Sequence, residues 1–365
     1  MRKKIAIDTR MLAWMGAGTY LRNLLKHIDY GVLIGDEKKL SNSEYIGRPI
    51  GSSVIIPFTS PIYGLKEQIN FPYCKLKKCK PNILHIPHCN IPIFYRGKIV
   101  VTIHDLTHLL FPKLMPQKYK HIGKLVYLYL YFMFWFSCKR ANHIITVSHN
   151  TKNDIIKTFK INPEKISVVH LGVSEEFVIK EKSQVEYLIK KYKIPQGEKQ
   201  DKKIILFVGN FAPNKNLERL ISAFEKIAVS ENSVLVLAGK SFDKLKVGEN
   251  IIKTGYLTQE ELVDFYNLAN LFIFPSIYEG FGLPILEAFA CGTPVACSNT
   301  GSLPEVGGDL AFYFSPTDEN SIAEQIVKAL NSPCDFSYRQ KLRNYALQFS
   351  WEETAKKTLE ILERV

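Results

Sequence analysis

Short runs of β-branched and aliphatic residues alternate with amphipathic segments along the chain, and this alternation limits its fold more than any other feature. The pattern predicts parallel sheets with helices on both faces. In the first half the predicted strands are Ile5–Asp8, Val32–Ile34, Val54–Pro57, Ile83–Ile86, Ile99–Ile103, Ile144–Val147 and Ile166–His170. In the second half they are Ile204–Val208, Val234–Ala238, Ile251–Thr254, Leu271–Phe274, Pro294–Cys297 and Ala311–Phe314.

The strand pattern lapses between the two series. Residues from about Ser174 to Lys203 are rich in Lys, Glu and Gln, which is typical of a linker and the entry to a second domain. A chain of 365 residues can give each of two domains its own core. We therefore predict two doubly wound α/β domains, residues 1–173 and 174–349. In such sheets ligands bind at the carboxyl ends of the strands.

The composition indicates a globular protein but does not identify its binding partner. The chain is 46% apolar and 23% charged, as globular proteins are, and its formal net charge is +13. Nucleic acid, anionic membrane and anionic substrates are all compatible with that charge. Seven cysteines without a CxxC pair indicate a reducing compartment, so we expect a cytoplasmic protein. Cys138, Cys291 and Cys297 lie among apolar neighbours, where core packing is the simplest interpretation.

The segment from Leu125 to Cys138 is almost wholly apolar and aromatic, with basic residues on both sides. Its fourteen residues fall short of the roughly 20 that a membrane-spanning helix needs. A buried or partly buried helix and an interfacial membrane contact are the two interpretations that the segment leaves open, and a span is the weakest.

The segment Glu279-Gly280-Phe281-Gly282-Leu283-Pro284 has the composition of a loop that opens a helix. Pro284 suits the first helical turn, and the glycines let the backbone approach a ligand. Such a helix start offers N–H groups to an anion. Glu279 and Glu287 lie eight residues apart, and we expect both to face the same crevice. A nucleotide-sugar, with its diphosphate on the amides and its hydroxyls on the carboxylates, fits this arrangement.

The segment from Pro275 to Pro294 resembles the signature of the retaining family 4 glycosyltransferases, which have the GT-B fold of two Rossmann-like domains facing across a cleft. The resemblance extends over nearly the whole chain. It implies that Glu279 lies by the transferred sugar and that Glu287 binds the nucleotide ribose. It also implies that the C-terminal helix, within residues 350–365, packs back on the first domain.

Further residues match the family's pattern. Gly16 and Gly18 match a glycine loop that faces the donor phosphates, although a plain tight turn remains open; Leu21 replaces the third glycine of a dehydrogenase fingerprint. The resemblance implies that His104, after a predicted strand, lies beside the transferred sugar. Asp105 and His88 are expected on the acceptor side.

The segment from Gly209 to Leu217 ends one predicted strand and opens a helix. Asn210 and Lys215 lie in it, and the resemblance implies that Lys215 binds the phosphates of the donor. The family usually has an arginine just before this lysine, where the present chain has Asn214. The loop from Gly301 to Glu305 is either a further donor loop or a surface turn.

The sequence thus predicts a metal-independent hexosyltransferase that uses a nucleoside-diphosphate sugar, with GDP-mannose the first donor to test and no cofactor. Its acceptor is expected to be a glycan, lipid-linked at the inner face of the membrane, as in O-antigen and polysaccharide synthesis. A nucleotide-sugar 2-epimerase of the same fold and a non-catalytic nucleotide-sugar-binding scaffold are the alternatives. Nucleic-acid binding is disfavoured, because the basic residues do not interleave with aromatic residues on a recognised module.

Overall fold

The computed structural model describes residues 3–41, 53–114, 123–197, 201–242 and 245–365. The described residues form two compact units. One unit runs to Gly172 and includes Ser350–Val365, and the other holds Val173–Phe349. Each unit contains one sheet in which all strand pairs are parallel.

The first unit has a seven-stranded sheet of order β3-β2-β1-β4-β5-β6-β7. Its strands are β1 (Ile5–Asp8), β2 (Val32–Gly35), β3 (Val54–Pro57), β4 (Ile83–Ile86), β5 (Lys98–Ile103), β6 (His143–Thr146) and β7 (Ile166–Val168). Its helices are α1 (Ala17–His27), α2 (Glu37–Leu40), α3 (Leu65–Asn70), α4 (Tyr73–Cys79), α5 (Thr107–Leu110), α6 (Gly123–Arg140) and α7 (His149–Phe159), with the C-terminal helix (Trp351–Arg364) packed against α1.

The second unit has a six-stranded sheet of order β10-β9-β8-β11-β12-β13. Its strands are β8 (Lys203–Val208), β9 (Ser233–Ala238), β10 (Ile251–Gly255), β11 (Leu271–Phe274), β12 (Val295–Ser298) and β13 (Phe312–Phe314). Its helices are α8 (Lys182–Val185), α9 (Tyr187–Lys191), α10 (Leu217–Glu225), α11 (Gln259–Leu268), α12 (Leu283–Ala290), α13 (Leu303–Gly307), α14 (Glu319–Leu330) and α15 (Phe336–Ala346); the C-terminal helix is therefore α16.

The predicted Rossmann-like sheets are confirmed in both units, and all thirteen predicted strands exist. Boundary differences are small: β7 ends at Val168 instead of His170, although the Val169 N–H still donates to the Thr146 carbonyl of β6 at 2.8 Å. The predicted linker region contains two short helices, α8 and α9. Cys138, Cys291 and Cys297 are fully buried, as expected.

The chain order of each sheet creates a switch point, a place where consecutive connections leave a strand in opposite directions. In the first unit β1 connects outward to β2, and β4 then returns to its other side. In the second unit β8 and β11 have the same relation. The two loops at a switch point diverge and leave a crevice beyond the carboxyl ends of the strands, where ligands of open α/β sheets bind.

Candidate functional site

An ion pair crosses the switch point of the second unit. Lys215 follows β8 and Glu279 follows β11, and the Lys215 Nζ lies 2.6 Å from the Glu279 Oε1. Each side chain is 18% exposed, so both groups remain accessible to a ligand. The ammonium also lies 4.9 Å from the centre of the Phe274 ring, which favours a cation by its negative face. Two residues predicted to act on one donor are therefore neighbours.

Backbone bonds hold the loop that carries Lys215. Asn216 adopts a left-handed conformation (φ 57°), and its side-chain amide donates to the carbonyls of Pro275 and Pro316 at 3.1 and 2.7 Å. The Ile277 N–H donates to the Asn214 carbonyl at 2.8 Å. Position 214 therefore joins the loops after β8 and β11 through its backbone, a role that an asparagine fills as well as an arginine.

The helix start predicted at Gly282 is confirmed as an element. Gly282 is the N-cap residue of α12 with φ 112°, and a Cβ there would lie 2.9 Å from Leu303 Cδ2. Only glycine fits this backbone and this space. Pro284 occupies the first turn, where its missing N–H costs nothing. The first turn of α12 therefore lies at the switch point. The first N–H groups of a helix have no carbonyl partner within the helix, so they can donate to a ligand.

The loop before α13 supports this helix start. Ser302 is fully buried, and its hydroxyl lies 2.9 Å from the Glu279 carbonyl and 2.8 Å from the Phe281 carbonyl. Thr300 donates to the Ile277 carbonyl at 2.8 Å. The loop from Gly301 to Glu305, for which a donor role and a surface turn were both open, therefore braces the segment that carries Glu279.

Glu287 projects from α12 in a different environment. The Tyr266 hydroxyl of α11 donates to Glu287 Oε2 at 2.9 Å. Burial raises the pKa of Glu287 to about 7, and the tyrosine hydrogen bond offsets part of that rise. The residue is nevertheless partly exposed. Asn210, on the loop after β8, is exposed, whereas Phe281 is buried. Their assignment to donor binding stays a prediction.

His104 follows β5 in the first unit. Its ring meets the Tyr20 ring edge-on at 5.1 Å between centroids. Among the described residues, no group accepts or donates a hydrogen bond at its buried Nε2 atom. Burial lowers the pKa of His104 to about 4, against the opposite pull of the Asp105 carboxylate. His104 is therefore a neutral imidazole near pH 7. The Asp105 carboxylate accepts a hydrogen bond at 2.8 Å from the N–H of Thr107, the first residue of α5.

A buried polar network occupies the switch point of the first unit. His88, which follows β4, places Nε2 3.2 Å from Asp8 Oδ2 at the end of β1, and its Nδ1 accepts the Asn90 N–H at 3.2 Å. Arg10 Nη2 lies 2.5 Å from Asp8 and 2.7 Å from Glu67. Burial alone would raise the pKa of Asp8, but Arg10 and His88 together hold it well below its usual range.

Glu67, Asn90 and Tyr129 also belong to this network, and they were not singled out from the sequence. The Tyr129 hydroxyl donates to Asn90 at 2.9 Å, and the Asn90 amide donates to Glu67. They come from three segments far apart in sequence, so no local motif connects them. The sequence offered one signal for this network, the carboxylate of Glu67 in a short helical segment. A buried arginine such as Arg10 needs a second acidic partner of this kind.

The two glycines at the start of α1 differ in their surroundings. Gly16 is exposed and adopts a positive φ of 41° as the N-cap residue, and a Cβ there would meet no other atom. Gly18 is buried, and a Cβ there would lie 2.7 Å from the Leu12 carbonyl oxygen. Packing alone explains Gly18, so the tight-turn alternative accounts for it as well as a phosphate loop does.

Within the described residues, no helix combines the length and the apolar content needed to cross a bilayer. The aromatic helix α6 is instead partly buried against the first unit's core, with Tyr127, Leu130 and Phe134 packed there. Its opposite side exposes apolar residues: Leu125 is 68% exposed and Leu128 is 53% exposed.

Comparison with known proteins places the chain among the glycosyltransferases. Residues 16–177 match the family described as Glycosyltransferase Family 4, and residues 188–349 match Glycosyl transferases group 1. The chain is 30% identical over 302 residues to the O-antigen chain mannosyltransferase B of Escherichia coli, covering 78% of this chain and 74% of that protein. It is 32% identical over 295 residues to the serotype-specific mannosyltransferase WbdA of Escherichia coli, covering 75% of this chain and 34% of WbdA.

A solved structure shares the fold over the whole chain. The Anabaena protein Alr3699/HepE, crystallised in complex with UDP and glucose, superposes with a TM-score of 0.73. The alignment covers 100% of both chains at 17% identity. This likeness supports the GT-B architecture.

Proposed function

Since this chain belongs to the family 4 glycosyltransferases and is an enzyme of that class, we propose that it transfers mannose from GDP-mannose to a glycan hydroxyl in cell-surface polysaccharide synthesis. The carrying observation is the Lys215–Glu279 pair beside the glycine-led start of α12. The names of the relatives, an O-antigen chain mannosyltransferase and a serotype-specific mannosyltransferase, support the sugar and the pathway class.

The cationic side of this site is suited to the diphosphate leaving group. The Lys215 ammonium, released from Glu279, neutralises phosphate oxygens, and the first N–H groups of α12 donate to them. These groups are in place before the reaction, so they stabilise the charge that develops as the bond from the anomeric carbon to the phosphate oxygen breaks. Glu279 is then free to accept hydrogen bonds from the hexose.

The proposed transfer retains the anomeric configuration. The acceptor hydroxyl attacks the anomeric carbon from the face of the leaving group, and its proton passes to a departing phosphate oxygen. The family resemblance assigns His104 to the transferred sugar; its imidazole is neutral, and its Nε2, which has no hydrogen-bond partner among the described residues, can bond a hydroxyl. Its lowered pKa keeps it neutral at the pH of the cytoplasm.

We propose that α6 gives the enzyme peripheral contact with the inner face of the membrane. Its exposed side carries Leu125, Leu128 and Trp135, and its C-terminal turn carries Lys139 and Arg140. Aliphatic and tryptophan side chains enter the interface while basic side chains meet anionic headgroups. An acceptor linked to a lipid would then be within reach of the enzyme.

The test of function is transfer of radiolabelled mannose from GDP-mannose to a lipid-linked glycan extract by the purified full chain. We expect labelled lipid product with the wild type and at least a hundredfold less with Glu279→Gln. Glu249→Gln, an exposed carboxylate in the same unit, serves as the matched control and should keep full activity. Formation of an epimeric nucleotide-sugar without acceptor would identify the 2-epimerase alternative, and activity unchanged in Glu279→Gln would contradict the proposed site.

A further inference from the structure

Tyr266 occupies a fixed position beneath the α12 carboxylate. It is fully buried on α11, with its ring edge-on to Phe177 at 5.9 Å and to Phe272 at 5.3 Å between centroids. Its own carbonyl accepts the Thr293 hydroxyl at 2.5 Å. A ring packed from two sides cannot change rotamer without opening the core, so its hydroxyl is a rigid hydrogen-bond donor.

The bond from this hydroxyl goes to one oxygen of Glu287. The Tyr266 Oη lies 2.9 Å from Glu287 Oε2, which leaves Oε1 to accept other donors. Within the part of the chain that the structure describes, Tyr266 is the only side chain that stabilises the ionised form of Glu287; no cation contributes. A charge-assisted bond from a tyrosine is therefore the main support for this anion.

We propose that Tyr266 is a positioning residue for donor binding: it holds Glu287 Oε2 so that Oε1 accepts the 2′- and 3′-hydroxyls of the nucleotide ribose. This inference rests on the proposed function, in which Glu287 binds the ribose. A carboxylate that is fixed by one oxygen loses little rotational freedom when a diol binds to the other. Tyr266 itself does not touch the nucleotide.

Other ionisable groups belong to the elements packed around Glu287. They are Asp264 on α11, Cys291 at the end of α12, Cys297 on β12, Glu305 on α13, and Arg339, Arg343 and Tyr345 on α15. Burial raises the pKa of Tyr266, Cys291 and Cys297 well above their usual values, so these three stay neutral between pH 6 and 9. Arginine stays charged over that range. Burial raises the pKa of Glu287 to about 7, and in the proposal the ionisation of Glu287 controls the pH dependence of ribose binding.

The experiment compares the binding of GDP and of 2′,3′-dideoxy-GDP by calorimetry between pH 6 and 9. The ratio of the two affinities reports the ribose hydroxyls alone, because both ligands share the base and the titrating diphosphate. In the wild type we expect this ratio to increase with pH, through a midpoint near that of Glu287. Tyr266→Phe keeps the ring and its packing but should reduce the ratio about tenfold at pH 7 and move the midpoint upward by about one pH unit.

Tyr192→Phe is the matched control. It removes another tyrosine hydroxyl that donates to a glutamate of the same unit, Glu261, at 2.7 Å, and it should leave the ratio and the midpoint unchanged. The inference would be overturned if Tyr266→Phe kept the wild-type affinity ratio and midpoint although Glu287→Gln lowered that ratio. Wild-type protein that binds neither GDP nor UDP, or that binds GDP and its dideoxy analogue equally, would instead contradict the proposed function.

Discussion

Each sheet has an ion pair at its switch point, but the surroundings of the two pairs differ. In the first unit Asp8 and Arg10 are at most 5% exposed and bond to Glu67 and His88. In the second unit Lys215 and Glu279 are 18% exposed, and no further ionisable partner bonds to either within the described residues. The buried groups of the first unit bond to one another and stabilise the fold. The accessible pair of the second unit can still form hydrogen bonds, so it can bind a ligand.

A switch point can therefore support the fold or bind a ligand, depending on how deeply its charged groups are buried. Removing one charge from a buried network leaves the others unpaired in a medium of low polarity, so the cost falls on stability. Removing one charge from the accessible pair leaves a group that water can solvate, so the cost falls on ligand binding. The following predictions test that division, beginning with the largest effect.

Arg10→Met should lower the free energy of unfolding by about 3–5 kcal/mol, because Asp8 and Glu67 would remain buried without their cation. Differential scanning calorimetry measures the change. Lys39→Met removes the cation of an exposed pair with Asp36 at 3.8 Å and should cost less than about 1 kcal/mol. Equal losses in the two variants would show that the buried network has no special importance for stability.

Lys215→Ala should lower kcat for mannose transfer about 10²–10³-fold, since the leaving diphosphate loses its cation. The melting temperature should change little. Lys226→Ala, which breaks an exposed pair with Glu319 at 2.9 Å, is the control and should keep its kcat. If Lys215→Ala lost much stability but kept a normal kcat, the pair at the second switch point would support the fold and would not bind the donor.

Stability should depend on pH in opposite senses at the two sites. His104 has a folded-state pKa near 4, below its usual 6.5, so its contribution to stability is lost as the pH falls from about 6.5 to 4. Glu287 has a folded-state pKa near 7, above its usual 4.5, so stability decreases as the pH rises from about 4.5 to 7. Each effect amounts to about 3 kcal/mol over its range.

Calorimetry of two variants separates these effects. Relative to the wild type, His104→Gln should gain stability as the pH falls from 7 to 4, and Glu287→Gln should gain stability as the pH rises from 5 to 8. Parallel curves for wild type and variant would mean that the residue titrates in the folded protein as it does in water.

Ser302→Ala should have the smallest effect, a loss of about 1 kcal/mol of stability, because the carbonyls of Glu279 and Phe281 lose a hydroxyl partner. We also expect a KM for GDP-mannose raised a few fold with an unchanged kcat, since the loop that carries Glu279 would be less well fixed. Steady-state kinetics at several donor concentrations give both values. An unchanged KM would restrict Ser302 to a purely structural role.

The loop and helix start that carry three of the candidate donor residues could be predicted from the sequence, because these residues are local to one another. Glu279, Gly282 and Glu287 lie within nine residues, where turn chemistry and helix-start signals fix the geometry. The strand positions could also be predicted from the sequence, because the strands of buried parallel sheets form clear apolar runs. The first-unit network was not predictable in the same way: Asp8, Glu67 and Asn90 meet only after the sheet is assembled. Tyr266 was missed for that reason too, since an aromatic residue on an amphipathic helix looks like core until its hydroxyl partner is known.

The most direct test of the central claim is hydrogen–deuterium exchange of the full chain with and without saturating GDP-mannose. We expect slower exchange of the Gly280, Gly282 and Leu283 amides when the donor is bound, with α14 (Glu319–Leu330) unchanged. Exchange at the start of α12 that is the same with and without donor, under conditions where calorimetry confirms binding, would contradict the claim.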